Sequence, residues 1–244
     1  MGLRCWETPI GRVRRRPLAH APQIMSSHLI YHPRRNVQQF DGCKVYFDRP
    51  RGNQDPYIWN DAFLHTYCHM TELTNPQPED INFWVADATF RDFNHLFCDL
   101  VFVIAERKVW EDKHSIKRSD PIVDSDFAFR DHYRWVERQH RWPSTKRQRI
   151  TLKADPMRSF QPQTESGSLI DVLPFFADHG LPRDCLRTAL RKPRGERFVS
   201  KPMPIDQDLA RELHEYLSGP AHHKLDGALL RRIRQNHPEL ESPC

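Results

Sequence analysis

The run FCDLVFVIAERKVW, residues 97–110, is almost wholly apolar until it ends in Glu106, Arg107 and Lys108. Residues two apart on a strand share a face, so Glu106 and Lys108 point the same way. A pair of carboxylates can hold a divalent cation, and a nearby lysine can orient the attacking water. The second carboxylate comes from a hairpin. If RDFN (91–94) turns the chain, facing residues sum to about 185 and Glu79 lies opposite Glu106, with Asp80 beside it. Asp99 is set aside, because on a straight strand its odd separation from Glu106 turns it to the other face. The chemistry expected of Glu79, Asp80, Glu106 and Lys108 is hydrolysis assisted by Mg²⁺ or Mn²⁺. The competing expectation is that charged residues mark where a buried strand reaches water.

This arrangement resembles part of the PD-(D/E)xK nuclease superfamily, in which a carboxylate-x-lysine pair and an earlier aspartate share one sheet end. The order here is Pro78-Glu79-Asp80, so no proline stands directly before the aspartate, and a third core strand is not evident. The resemblance implies a metal-dependent nuclease.

Two HxxC pairs, His65 with Cys68 and His95 with Cys98, have nitrogen and sulfur ligands in the close spacing of zinc sites. Three residues apart on a helix is one face, which suits His65 and Cys68. His95 and Cys98 straddle a turn and a strand, and Cys98 also reads as core. Glu137-x-x-His140 is half of a carboxylate-bridged di-iron pattern and occurs once.

The third group is basic. In IDVLPFFADHGLPRDCLRTALRKPRGERFVSKP (170–202), Gly180 separates two short helical patterns, as in a helix-turn-helix. Arg183, Arg187 and Arg191 recur every four residues along the second, a stripe suited to phosphates or base edges. Lys192 and Arg194 follow, in a segment read as a small basic wing turning at Gly195. Leu181, Leu186 and Leu190 are expected to pack on Phe175 and Phe176. Asp178 and Asp184 flank the basic face and oppose phosphate.

The elements that must position these groups follow from periodicity. Strands are expected at 43–48, 81–90, 97–109 and 148–154, and helices at 57–73 and 125–140. Residues 156–167, rich in Pro, Ser, Gln and Thr, read as a linker. Helices are expected at 168–179, 182–192, 206–218 and 224–236. The fold expected is α+β: a mixed or antiparallel sheet with flanking helices over 25–155, then a helical region over 168–244. Residues 1–24 show no apolar period, carry Arg14, Arg15 and Arg16, and read as a disordered basic arm.

The chain has 244 residues, 20 prolines and a formal net charge of +5, a balance that permits nucleic acid as a partner. Its six cysteines are scattered without a CxxC, which fits a reducing, cytoplasmic setting. No apolar run approaches the roughly 20 residues of a membrane-spanning helix, so no membrane partner is expected. Three functions remain: a nucleic-acid-binding protein using the arginine stripe, a nuclease using the hairpin end, or a non-catalytic interaction module.

Overall fold

The computed structural model describes residues 27–32, 35–47, 58, 73, 75–87, 93–110, 119–122, 149–194 and 197–241. Side chains are described for all of these except positions 110, 149, 150, 192–194 and 197–200. The helices expected at 57–73 and 125–140 lie outside the described residues apart from Ile58 and Leu73, as do His65, Cys68, Glu137, His140 and the whole of 1–24.

The fold is α+β, a mixed sheet with helices toward the C-terminus. The central strand is β5 (Phe97–Trp110). It pairs antiparallel with β4 (Ile81–Ala86) along its first half and with β6 (Arg149–Ala154) along its second. Strand β1 (Ser27–Tyr31) runs parallel to β4, and β11 (Met203–Ile205) closes that edge antiparallel to β1. On the other side β7 (Phe160–Gln163) and β8 (Ile170–Asp171) meet β5, and β12 (His223–Asp226) pairs with β7. Strands from 160–226 thus hydrogen-bond into the sheet begun by residues 27–31.

Alternation along these strands builds two cores. Leu29, Phe83, Val85, Val101 and Val103 face helices α1 (Leu173–Asp178), α2 (Arg183–Ala189) and α3 (Gln207–Ser218). Ile30, Trp84, Leu100, Phe102 and Ile104 share the other core with the hairpin of β2 (Asn36–Phe40) and β3 (Cys43–Phe47). Helix α4 (Gly227–Asn236) adds Leu230 and Ile233 to that core. The β2–β3 hairpin turns in two residues, Asp41 (φ +48°) and Gly42 (φ +83°), a pairing that keeps the strands twisted together.

Several expectations shift. The stretch read as a linker, 156–167, contains β7, all four residues of which are buried. The helix expected over 182–192 ends at Ala189, and Arg191 opens β9 (Arg191–Arg194), which pairs with β10 (Arg197–Ser200). The helix expected over 168–179 is six residues long and follows β8. Prolines explain part of this: Pro162, Pro193 and Pro204 sit inside β7, β9 and β11, short strands that read as connectors. Among the described residues no helix is long and apolar enough to cross a membrane.

Candidate functional site

The hairpin β4–β5 forms, but one residue out of the expected register, since Ile81 faces Val103 and Phe83 faces Val101. The four proposed catalytic residues are drawn toward different partners. Glu79, at φ +75°, is exposed and its carboxylate takes Arg158 at 2.7 Å. Asp80 is fully buried and accepts the Gln77 backbone N–H at 2.8 Å, closing the turn before β4. Glu106 is exposed on β5 opposite Lys153 of β6. Lys108 forms an ion pair with Asp120.

Of the zinc candidates, His95 is exposed and bonded through Nδ1 to Asp171 at 2.8 Å, while Cys98 is fully buried. Burial pushes the Cys98 thiol well above its ordinary pKa, with Asp99 adding to the effect. A thiol held protonated is a poor metal ligand. Among the described residues no three His, Cys, Asp or Glu side chains are grouped to hold a metal ion.

The basic segment keeps more of its expected arrangement. Helix α1 ends in a Schellman closure: the Leu181 N–H bonds to Phe176 O at 2.8 Å and the Gly180 N–H to Ala177 O at 3.1 Å, with Gly180 at φ +75°. That turn sends the chain into α2, whose Leu186 lies in the same core as Phe175, Phe176 and Leu190, with Leu181 packed against it. His179 ties α1 to α3, stacking on Phe175 at 4.1 Å and meeting Glu212 at 2.8 Å. Arg183 is exposed, 3.6 Å from Asp184 and 3.4 Å from Asn94. Arg187 and Arg191 are half-buried, the first on α2 and the second on β9. The stripe therefore runs from a helix onto a strand. The Lys192 and Arg194 side chains lie outside the described residues, but their backbone forms the first strand of the expected wing, with Arg194 facing Arg197. Helix, turn, helix and hairpin follow one another over 173–200.

A third constellation, passed over in the sequence, is buried. Along β4–β5 the register slips between Trp84 and Val85, and Asp99 is the extra residue on β5. A bulge re-aims a side chain that regular pleating would send elsewhere. The Asp99 carboxylate is fully buried, and its Oδ2 accepts from Arg35 Nε at 2.9 Å. His32 Nε2 lies 2.7 Å from the same oxygen, a close approach that is not aligned as a hydrogen bond. The guanidinium of Arg35 sits 5.7 Å above the Trp84 ring, and the His32 ring meets Trp84 edge-on. Asp99 Oδ1 has no hydrogen-bond partner among the described residues. Leaving such an acceptor dry costs about 1–3 kcal/mol or more.

These residues gather just beyond the C-terminal ends of the parallel strands β1 and β4. Asp87, next after β4, is buried and accepts the Asn94 N–H at 3.1 Å. Burial, partly offset by a backbone hydrogen bond with Asp87, pushes the nearby Tyr31 phenol up to about 12, so it stays neutral. A cavity of about 220 Å³ opens over Arg35, Asp87 and Asp99, walled by Tyr46, Phe97 and Leu169. Its outer wall is fixed by β7 side chains. Gln161 spans the Tyr46 backbone, taking its N–H at 3.0 Å and donating to its O at 2.5 Å. Gln163 donates to Lys44 O at 2.7 Å, and the Tyr46 hydroxyl donates to Gly167 O at 3.1 Å. The signal in the sequence was Asp99 itself, the one charged residue inside LFCDLVFVI, since carboxylates are rarely buried without partners.

No protein-family model matches the chain, and no curated protein or solved structure is significantly similar to it.

Proposed function

We propose that this protein binds nucleic acid through the basic helix-turn-helix and hairpin over 173–201. The observation that carries the reading is the concentration of charge there. Residues 183–201 hold Arg183, Arg187, Arg191, Lys192, Arg194, Arg197 and Lys201 against Asp184 and Glu196, a net +5 equal to that of the whole chain. Charge gathered on one segment, rather than spread evenly, is the electrostatic footprint of a polyanion site. Leu186 of α2, with Leu190 just after it, fixes the inner face of the helix in the core, and Arg183 stands exposed. Asp184 beside it lowers the local field and favours modest affinity. A cytoplasmic setting suits this partner, and Cys43 and Cys98 are free thiols.

The hairpin-end nuclease has no such support, because the carboxylates of Glu79 and Asp80 and the Lys108 amine are each engaged elsewhere.

The test is fluorescence anisotropy of the full chain with single-stranded DNA, duplex DNA and RNA over a salt series. Around four phosphate contacts predict a loss of affinity of roughly 10²-fold between 50 and 200 mM salt on duplex. Affinity that does not change with salt, or no binding at low salt to any of the three, contradicts the reading.

A further inference from the structure

We infer that His95, held by Asp171 beside Arg183, accepts a ribose 2′-hydroxyl and so makes RNA the preferred partner of the basic segment. The inference rests on the proposed function and narrows it from nucleic acid to RNA.

The imidazole is fixed from two sides. Its Nδ1 lies 2.8 Å from Asp171 Oδ2, and its ring stacks on Phe97 at 5.3 Å with 22° between the planes. Asp171 is anchored in turn, because its Oδ1 accepts the backbone N–H groups of Leu96 and Leu173, each at 3.0 Å. These bonds choose the tautomer. A carboxylate only accepts, so Nδ1 carries the hydrogen and Nε2 of the neutral ring presents a lone pair. Pinning β8 beside the start of β5 uses Nδ1 alone. Nε2 makes no hydrogen bond to the described residues, and the His95 side chain is 58% exposed, so a ligand can reach that lone pair.

Arg183 supplies the second half. Its Nη1 lies 3.4 Å from Oδ1 of Asn94, the residue before His95, which brings the first cation of the basic segment to this corner. The Arg183 side chain is 52% exposed, and contacts with Asn94 and with Asp184 at 3.6 Å leave its guanidinium with donors to spare. An acceptor beside such a donor group fits an O–H next to a phosphate. In RNA the 2′-hydroxyl adjoins the 3′-phosphate, whereas DNA has the phosphate and no hydroxyl. Arg183 takes the backbone common to both, and His95 reads the group that distinguishes them.

The experiment is fluorescence anisotropy of the full chain with single strands of one sequence made as RNA, as 2′-O-methyl RNA and as DNA. One hydrogen bond at an exposed site predicts RNA binding about two- to tenfold tighter than the 2′-O-methyl strand, which keeps the RNA sugar shape and loses the hydroxyl hydrogen. His95→Phe keeps a ring to stack on Phe97. It is expected to bring RNA down to the 2′-O-methyl value while DNA affinity stays unchanged. Asp171 is a positioning residue. Asp171→Asn turns an N–H toward Nδ1 and moves the imidazole hydrogen to Nε2, so the RNA preference is expected to vanish and the nitrogen NMR shifts of His95 to report the exchanged tautomer. Binding of RNA and the 2′-O-methyl strand with equal affinity overturns the inference and leaves the proposed function standing. So does an RNA preference that survives in folded His95→Phe. Failure of all three strands to bind overturns the proposed function and this inference together.

Discussion

The charges of this protein fall into two kinds of place. Around Asp99, polar side chains are sealed inside at short range: Arg35 donates to the carboxylate at 2.9 Å and His32 lies 2.7 Å from the same oxygen. Over 183–201 the charges lie close together in the chain and are mostly of one sign, and Arg183 at least stands in solvent. Water makes the difference. In the interior an ion without its partner is costly, so position is dictated to fractions of an ångström. At the surface the same charges contribute little to stability and act through the field they create together. The first region holds neighbouring strands together, and the second supplies the field that the proposed function assigns to a polyanion.

The largest effect that separates the regions is on stability. Asp99→Asn removes the negative charge that the buried Arg35 guanidinium faces and is expected to cost about 3–5 kcal/mol, read as a fall in the urea midpoint at constant slope. Arg183→Ser is expected to stay within about 0.5 kcal/mol of the parent in the same titration. Comparable losses for the two would erase the contrast.

A smaller effect concerns the cavity wall. Gln161→Leu removes both hydrogen bonds to the Tyr46 backbone, and the unpaired strand groups are expected to cost about 1–3 kcal/mol. Hydrogen exchange should then rise at Tyr46 and across β3 while the amides of α3 stay protected. Uniform loosening of both would show that the hairpin is not docked through Gln161.

The smallest is an exposed charge contact at the β2–β3 turn. Hydrogen bonding to Asp41, opposed in part by desolvation and aided by Glu239, raises the pKa of His237. A raised histidine stabilises fully below its unfolded pKa, and the contribution fades as pH climbs through the raised, folded value. The companion shift in Asp41 is downward, through bonds from Asn236 and then His237, so its contribution fades only in acid. Thermal melts from mildly acidic to mildly alkaline pH should show a slight loss that is absent in Asp41→Asn. A stability that rises over that window in the parent relative to the variant contradicts the assignment of His237.

How much could be read beforehand follows the same division. Strand β4 and the first half of β5 are legible because both faces are buried and the apolar run is continuous, and α3 is legible from its helical period. The basic segment was legible because its charges are adjacent. The buried site was not, because His32, Arg35, Asp87 and Asp99 come from separate stretches and meet only after β1 and β4 lie parallel. The straight-strand assumption also hid it. A bulge cannot be counted from spacing, and here the bulged residue is the one whose carboxylate matters. Strand β7 was missed because Pro162 and two glutamines read as loop, whereas the glutamines serve as side-chain partners for the β3 backbone.

The central claim, that charge over 173–201 captures nucleic acid, is tested most directly by two charge-matched variants. Arg183→Glu with Lys201→Glu reverses two exposed cations of the basic segment, and Arg231→Glu with Arg232→Glu reverses two exposed cations on α4. Both variants change net charge equally, so any difference between them is one of place. In anisotropy titrations with duplex DNA, the first variant is expected to lose at least about tenfold in affinity and to show a shallower salt slope by about two contacts. The second is expected to change far less. Equal losses in the two variants, or a greater loss in the α4 variant, would contradict the account.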